Sequence, residues 1–474
     1  MQQQNEQGQR LLGLFPLNWR LELTAIPGVR WLLKRRWFPM ALIMFNMVVF
    51  MLILMSGILG GFSSGNYSFG IMIVWILWWV LLMMLLVPVF SRSWCMMCPL
   101  PSFGEWLQRL RIFGVNNKLA GLNLKWPRSL SNMWLMNFLF VGTTFFSGFM
   151  TVKPLATFFL LGGIIALSIV MSLLFEKRAF CLYVCPVSGF QGLYSNMAMA
   201  EIRVKDPKVC AKHPKKTCVT GNKNGYGCPW MLEPHSFKRN TYCGMCMECF
   251  KTCPFDNMAF NLRPPGTDLV INEKRGLDEA WKSFIMLAVA VMFYVAMMGP
   301  WGFLKDWVRG STLVGWLKFI SLHTLFALVV VPGIFFVFAL ASKMASGRKE
   351  ISLKAVFVNL SYALMPMGLA AWIAFSFGFL LPNGSYILHI LSDPFSRGWN
   401  LIGTANFPWT PVATAWLVPL QFGALLIGYL VSVDFGYKLA SQTFADLTAA
   451  RRGFIPLLVF LTLLTIAFGW LYGG

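Results

Sequence analysis

The sequence predicts an all-α polytopic membrane protein, with about nine transmembrane helices and one large polar insertion. Two observations carry that class. Of 474 residues, 57% are hydrophobic and 12% are charged, against roughly 45–50% apolar and about 25% charged in soluble domains. The apolar residues also fall in runs long enough to cross a hydrocarbon core of about 30 Å, which takes ~20 helical residues. A soluble core of this composition would expose such runs to water, whereas 43 Phe and 20 Trp suit positions facing lipid and its interface.

The runs lie at 39–60, 67–90, 133–150, 155–175, 282–300, 319–341, 355–381, 411–432 and 454–472. Residues 1–38 are polar and mixed, and no cleavable signal peptide is expected there. Lysine and arginine set the orientation. Arg10, Arg20, Arg30, Lys34, Arg35 and Arg36 precede the first run, and Arg92, Arg109 and Arg111 follow the second. Lys177 and Arg178 follow the fourth, Lys343, Arg348, Lys349 and Lys354 the sixth, and Lys438, Arg451 and Arg452 the eighth. The opposite loops hold Lys153, Lys305, Arg309 and Arg397. The positive-inside rule then puts the N-terminus and the polar insertion in the cytoplasm and the C-terminus outside, in a cytoplasmic (inner) membrane surrounded by lipid. The net charge of +22 is a topological signal on this reading, and no nucleic-acid partner is expected.

Four regions are expected: a cytoplasmic segment 1–38, a duplicated two-helix membrane unit 39–186, a cytoplasmic domain 187–280, and a five-helix membrane domain 281–474. The duplication rests on two helix-end motifs, Ser91-Arg-Ser-Trp-Cys95-Met-Met-Cys98-Pro99 and Lys177-Arg-Ala-Phe-Cys181-Leu-Tyr-Val-Cys185-Pro186. The outer loop 382–410, rich in Pro, Gly, Asn and Trp, reads as a lid or partner surface.

Cysteine carries the chemistry. None of the 11 lies beyond Cys253, and their short spacings favour a metal or cluster over a disulfide framework. Cys243-Gly-Met-Cys246-Met-Glu-Cys249-Phe-Lys-Thr-Cys253-Pro254 has the C-x2-C-x2-C-x3-C-P spacing of a bacterial [4Fe-4S] site, with Gly244 expected to allow a tight turn. Upstream stand Cys210, Cys218 and Cys228-Pro229. One cube would take Cys243, Cys246, Cys249 and Cys228. A second would take Cys210, Cys218 and Cys253, with Cys181, Cys185, His213 or solvent as fourth ligand. The insertion therefore reads as a cytoplasmic ferredoxin-like domain with two [4Fe-4S] clusters; the alternative is one cube and structural upstream cysteines. The basic stretch from Arg203 to Lys216 is either a positive-inside flank or a docking patch for an acidic redox protein.

Cys95, Cys98, Cys181 and Cys185 occupy matching places at two helix ends. A pseudo-twofold would bring them together around a further iron or iron–sulfur centre, with Arg92, Lys177 and Arg178 offsetting the thiolate charge; the alternative is free thiols. His323 and His389 are candidates for holding a haem or a quinone head group, against a purely structural role. The spans are nearly free of Asp and Glu, which argues against proton or cation pumping.

The paired Cys-Pro helix ends and the ferredoxin run, over roughly residues 67–265, resemble the ferredoxin-type polytopic membrane proteins. These include the one that accompanies periplasmic nitrate reductase and the membrane half of the nitrous-oxide reductase maturation protein. Cys181 and Cys185-Pro186 match the family's C-x3-C-P motif, and Cys95 and Cys98-Pro99 match it with one residue missing. Here the first ferredoxin run is stretched into Cys210, Cys218 and Cys228, and five further spans follow. The resemblance implies electron transfer between a cytoplasmic or quinol donor and a membrane or extracytoplasmic redox partner. The competing function is maturation or redox-gated transport in a metalloenzyme system.

Overall fold

In lipid an apolar run has no solvent partner for its amides, so it closes its hydrogen bonds internally as a helix. The computed structural model describes residues 9–60, 65–116, 119–271, 273–298, 302–310 and 312–473. Among them, eight helices are long and apolar enough to cross a membrane: Trp37–Leu59, Phe69–Phe90, Pro154–Leu174, Leu277–Met298, Leu313–Ser346, Leu353–Asn383, Thr414–Phe444 and Leu447–Gly473. They match eight of the expected runs. The run at 133–150 is broken into Trp134–Thr144 and Ser147–Met150. The hydroxyls of Thr143 and Thr144 donate to the carbonyls of Phe140 and Val141, at 2.8 and 2.6 Å, competing with the helical ladder where it stops. The broken piece still runs from one end of the bundle to the other. At its start the Met133 amide donates to Asp278 (2.7 Å), beside the cysteine domain. Just past its end the Val152 carbonyl accepts from Gly65, beyond the far end of the first span.

The spans pack in two groups. Trp37–Leu59 lies on Pro154–Leu174 so closely that a Cβ on Gly57 would stand 2.7 Å from the Phe158 Cβ. In the C-terminal group, Leu353–Asn383 is the central helix. Its Trp372 is fully buried and donates from Nε1 to the Met286 carbonyl at 3.1 Å.

Between the two groups in sequence lies a small cysteine-bearing region, which adds a short sheet to the helices. Strands β1 (Leu21–Glu22), β2 (Ala200–Val204) and β3 (Met258–Leu262) form an antiparallel sheet in the order β1-β3-β2, with Ala200 opposite Leu262 and Val204 opposite Met258. The N-terminal segment thus supplies an edge strand, and its Lys34 pairs with Asp256 at 2.7 Å. Glu201 on β2 anchors the arrangement, bound by Arg263 at 2.8 Å and Arg20 at 2.6 Å. Burial would raise its carboxyl, but Arg263, Arg203 and Arg20 outweigh burial and hold it at about 2. Arg239 fastens the domain to the membrane helices through Glu279 of Leu277–Met298, at 2.8 Å.

Candidate functional site

The seven cysteines of the insertion divide into two sets. Cys228, Cys243, Cys246 and Cys249 line one void together with Trp230, Gly244 and Leu232. Cys210, Cys218 and Cys253 line another, with His213 and His235. This is the division expected from ferredoxin spacing. Of the three side chains that are candidates for the missing ligand, His213 is the one in the second void; Cys181 and Cys185 line a different cavity. His235, which no sequence motif marks, stands there too.

Backbone geometry builds the first set. Met245 and Met247, between the cysteines, take left-handed φ values of 51° and 61°. The backbone amides of Met245 near Cys243, of Glu248 near Cys246, and of Trp230 and Leu232 near Cys228 favour the thiolate form. Gly244 has another purpose than the expected tight turn. It has no positive φ, but a Cβ there would stand 2.0 Å from the Trp230 indole, so its role is close packing. In the second set, Asn257 donates from its amide to Cys253 and from Nδ2 to Cys210, both at 3.4 Å. Burial pushes the Cys228 and Cys243 thiols up to about 11 and Cys246 up to about 12. They are protonated at neutral pH until a metal displaces the proton.

The helix-end cysteines form a third set. Cys95, Cys98, Cys181 and Cys185 all line one apolar cavity of about 140 Å³, with Trp79, Trp94 and Gln191. The two motifs match at both ends, with one residue fewer between the cysteines of the first. Ser91 and Lys177, which open them, take φ of 60° and 56°. The next residues, Arg92 and Arg178, are both buried. Cys98 and Cys185 close them in the extended conformation that a following proline imposes, with φ, ψ of −68°, 126° and −61°, 116°. Arg178 of the second motif donates to the Cys95 carbonyl of the first at 2.7 Å and pairs with Glu105, 3.2 Å between Nη2 and Oε2. Arg92 donates to the Thr241 carbonyl at 2.6 Å and to Ser188, and covers the Trp230 ring at 4.4 Å, so it ties this set to the insertion.

The helix-end motifs also decide what the chain is similar to. Residues 71–116 and 156–203 match a 4Fe-4S binding domain. Each matched stretch contains one helix-end motif, and the ferredoxin run lies outside both. The chain is also similar to the "Putative electron transport protein YccM" of Escherichia coli (strain K12), 26% identical over 166 residues, which cover 33% of this chain and 43% of that relative. No solved structure matches the chain. The chain is a multi-pass membrane protein with an iron–sulfur-binding module and distant similarity to an electron-transport protein.

The donor sets can be compared with what a single ion and a cluster each require. Among the described residues, no three Cys, His, Asp or Glu side chains converge closely enough to hold one metal ion. A single tetrahedral ion with ~2.3 Å metal–sulfur bonds would draw its sulfurs to within about 4 Å of each other. A cube, with an iron at each of four corners, holds its thiolates farther apart, around a body that fills a void. Buried donors left without a partner among the described residues point the same way: Trp79 Nε1 and Gln191 Nε2 at the helix-end cavity, and Trp230 Nε1 at the first void. Sulfur-rich anionic clusters accept such donors, which tune their potentials.

The two histidines sit in different surroundings. His323 is buried, with Nε2 at 2.9 Å from the Thr144 hydroxyl and Phe319 against its ring. His389 meets the Ala405 carbonyl through Nδ1 and packs edge-on against Tyr67. Each has one polar partner, and His323 Nδ1 has none among the described residues. A further cavity of about 450 Å³ lies where the first span, the helix Ser102–Arg109 and the insertion meet. Trp37, Met40 and Met44 line it from the span, Arg109 from the helix, and Cys246 and Glu248 from the insertion.

Proposed function

We propose that the chain is a membrane electron-transfer protein with two [4Fe-4S] cubes in the insertion and a third iron–sulfur centre at the helix ends. One observation carries the reading: all 11 cysteines fall into three sets, each around its own cavity. Cys228, Cys243, Cys246 and Cys249 would hold the first cube. Cys210, Cys218 and Cys253 would hold the second, with His213 as fourth ligand. Cys95, Cys98, Cys181 and Cys185 would hold the third centre. Such clusters supply one-electron transfer. The protein's own part is to fix the thiols, aim amides at them, and exclude water with Trp79, Trp94 and Trp230. Anaerobically purified protein is expected to hold at least about eight irons per chain, with about four more from the helix-end set. Four or fewer would sink the reading. His213→Ala is expected to alter the low-temperature EPR signal of one ferredoxin-type centre alone; an unchanged spectrum would remove that ligand.

The donor is a cytoplasmic redox protein or a membrane quinol. The cavity that runs from the first span to Cys246 supports the second, because it joins an apolar mouth to a cluster thiol. A short-chain quinol should then reduce the clusters of the isolated protein, and Trp37→Ala should slow that reduction without loss of iron. Failure of quinol with success of a reduced ferredoxin would point to the protein donor. We also infer nine crossings, counting the broken helix 134–150, with the insertion in the cytoplasm. A reporter fused after Gly473 is expected outside and one within 201–280 inside. Both on one side would mean that the broken helix does not cross.

A further inference from the structure

Arg92 stands between two of the three thiol sets. It lies just past the second span and is buried. On one side its Nη2 is 4.0 Å from the Cys95 sulfur and donates to the Ser188 hydroxyl, and both of these residues line the helix-end cavity. On the other side its Nη1 donates to the Thr241 carbonyl at 2.6 Å, close in sequence to Cys243, and its Cζ is 4.4 Å from the centre of the Trp230 ring. Gly192 leaves room for this contact, since a Cβ there would stand 2.7 Å from the Thr241 oxygen.

Trp230 continues the line into the insertion. It is 1% exposed and lines the first void with Cys228, Cys243, Cys246 and Cys249. Gly244 packs directly on its indole. A second link runs beside it. The Arg178 amide donates at 3.2 Å to the carbonyl of Pro229, which lies between Cys228 and Trp230, while its Nη1 donates to the Cys95 carbonyl at 2.7 Å. The second set meets the motifs elsewhere, where Lys177 Nζ donates to the Val219 carbonyl at 3.0 Å. Lys177 is not among the described residues that line the helix-end cavity. A chain of direct contacts thus runs from the first void to a helix-end thiol.

We propose that Trp230 and Arg92 form the electron-transfer contact between the first cube and the helix-end centre, so that the first cube, not the second, exchanges electrons with that centre. This rests on the iron–sulfur reading of both sites. One electron passes per event: the first cube is oxidised by one and the helix-end centre is reduced by one, with no bond made or broken and no proton moved. The physical reason is that tunnelling decays less steeply through packed atoms and hydrogen bonds than across empty space. An indole with a guanidinium held on its face by cation–π attraction is a packed contact of this kind. Neither residue is a ligand; both are positioning residues.

The test is freeze-quench EPR of the intact, cluster-loaded protein during photoreduction by a deazaflavin, with midpoints and iron per chain measured on the same samples. The helix-end signal is the one lost in the Cys95→Ser/Cys98→Ser double variant, and the second cube's signal is the one altered in Cys218→Ser. Trp230→Leu should slow the rise of the helix-end signal severalfold, and leave its midpoint, the iron content and the first cube's own rate of reduction in place. Trp230→Phe should restore most of the rate. Both variants lack the indole N–H, so their difference isolates the packed ring. Arg92→Met is the second route to the same answer, because replacing a buried charge by an apolar side chain of similar size is commonly tolerated. It should slow the helix-end signal by more than any change in midpoint explains. An unchanged rise in both Trp230→Leu and Arg92→Met, or an equal slowing of every centre, overturns the proposal and leaves the helix-end centre in place. If no signal depends on Cys95 and Cys98, this proposal and the helix-end centre fall together.

Discussion

Replacing Cys95 and Cys98 together by Ser is expected to remove one iron–sulfur centre and about four irons per chain, and to leave both ferredoxin-type signals intact. The geometry makes the effect selective. These two thiols share their cavity with Cys181 and Cys185 and with none of the insertion's cysteines. Tryptophans line the cavity, so serine hydroxyls there would face an apolar wall instead of a cluster. If electrons leave the insertion through this centre, reduction of an acceptor beyond it should stop, while reduction of the insertion's own centres by dithionite continues. Unchanged iron and an unchanged spectrum would show that the four thiols hold nothing.

Glu105→Leu is the second large effect expected. Glu105 comes from the first motif's trailing helix and Arg178 is the second residue of the second motif, so this buried pair locks the two motifs together. Arg109 adds a longer contact at 3.7 Å. Removing the carboxylate leaves the Arg178 guanidinium buried, with the Cys95 carbonyl as its remaining fixed partner. Losing one member of a buried pair costs about 3–5 kcal/mol. Thermal unfolding in detergent should show a loss of that order, together with weaker loading of the helix-end set. Glu105→Leu combined with Arg178→Met should recover much of the stability, since the uncompensated charge is gone. If the double variant is no better than the single, the cost is lost packing and not charge. The pair also gives a pH dependence. Burial alone would raise the Glu105 carboxyl, but Arg178 and Arg109 outweigh it and the balance is a lowered value. Its stabilisation is therefore complete above the unfolded carboxylate value of ~4.3 and is lost as pH falls through the lower folded value.

Much of the candidate site is legible in the sequence because its signals are local. The C-x2-C-x2-C-x3-C-P spacing alone sets Cys253 apart from Cys243, Cys246 and Cys249, and Cys228-Pro229 has the form of the crossing ligand of the first set. The repeat has a counterpart in local geometry as well. Aligning Ser91 with Lys177 and Arg92 with Arg178 pairs residues that share a strained φ or a buried guanidinium. Other signals are local but point wrongly. Gly244 suggests a turn, and what it permits is the approach of Trp230 from another loop. The run 133–150 has the composition of an unbroken helix, yet the helix stops at Thr144 and resumes at Ser147.

By itself, the sequence determined the multi-pass membrane class, eight of the long apolar helices and the iron–sulfur character of the chain. All of these follow from composition, period and spacing, which act between residues close in the chain. Only the tertiary structure decided that Leu21 and Glu22 complete a sheet with Met258–Leu262, that His213 and His235 face Cys210 and Cys218, and that His323 and His389 each have their own partner. It also decided that Arg92 covers the Trp230 ring. These contacts join segments up to hundreds of residues apart. Which of them form depends on how the apolar faces of the spans pack, and a side chain's charge or imidazole carries no mark of which distant segment it will meet.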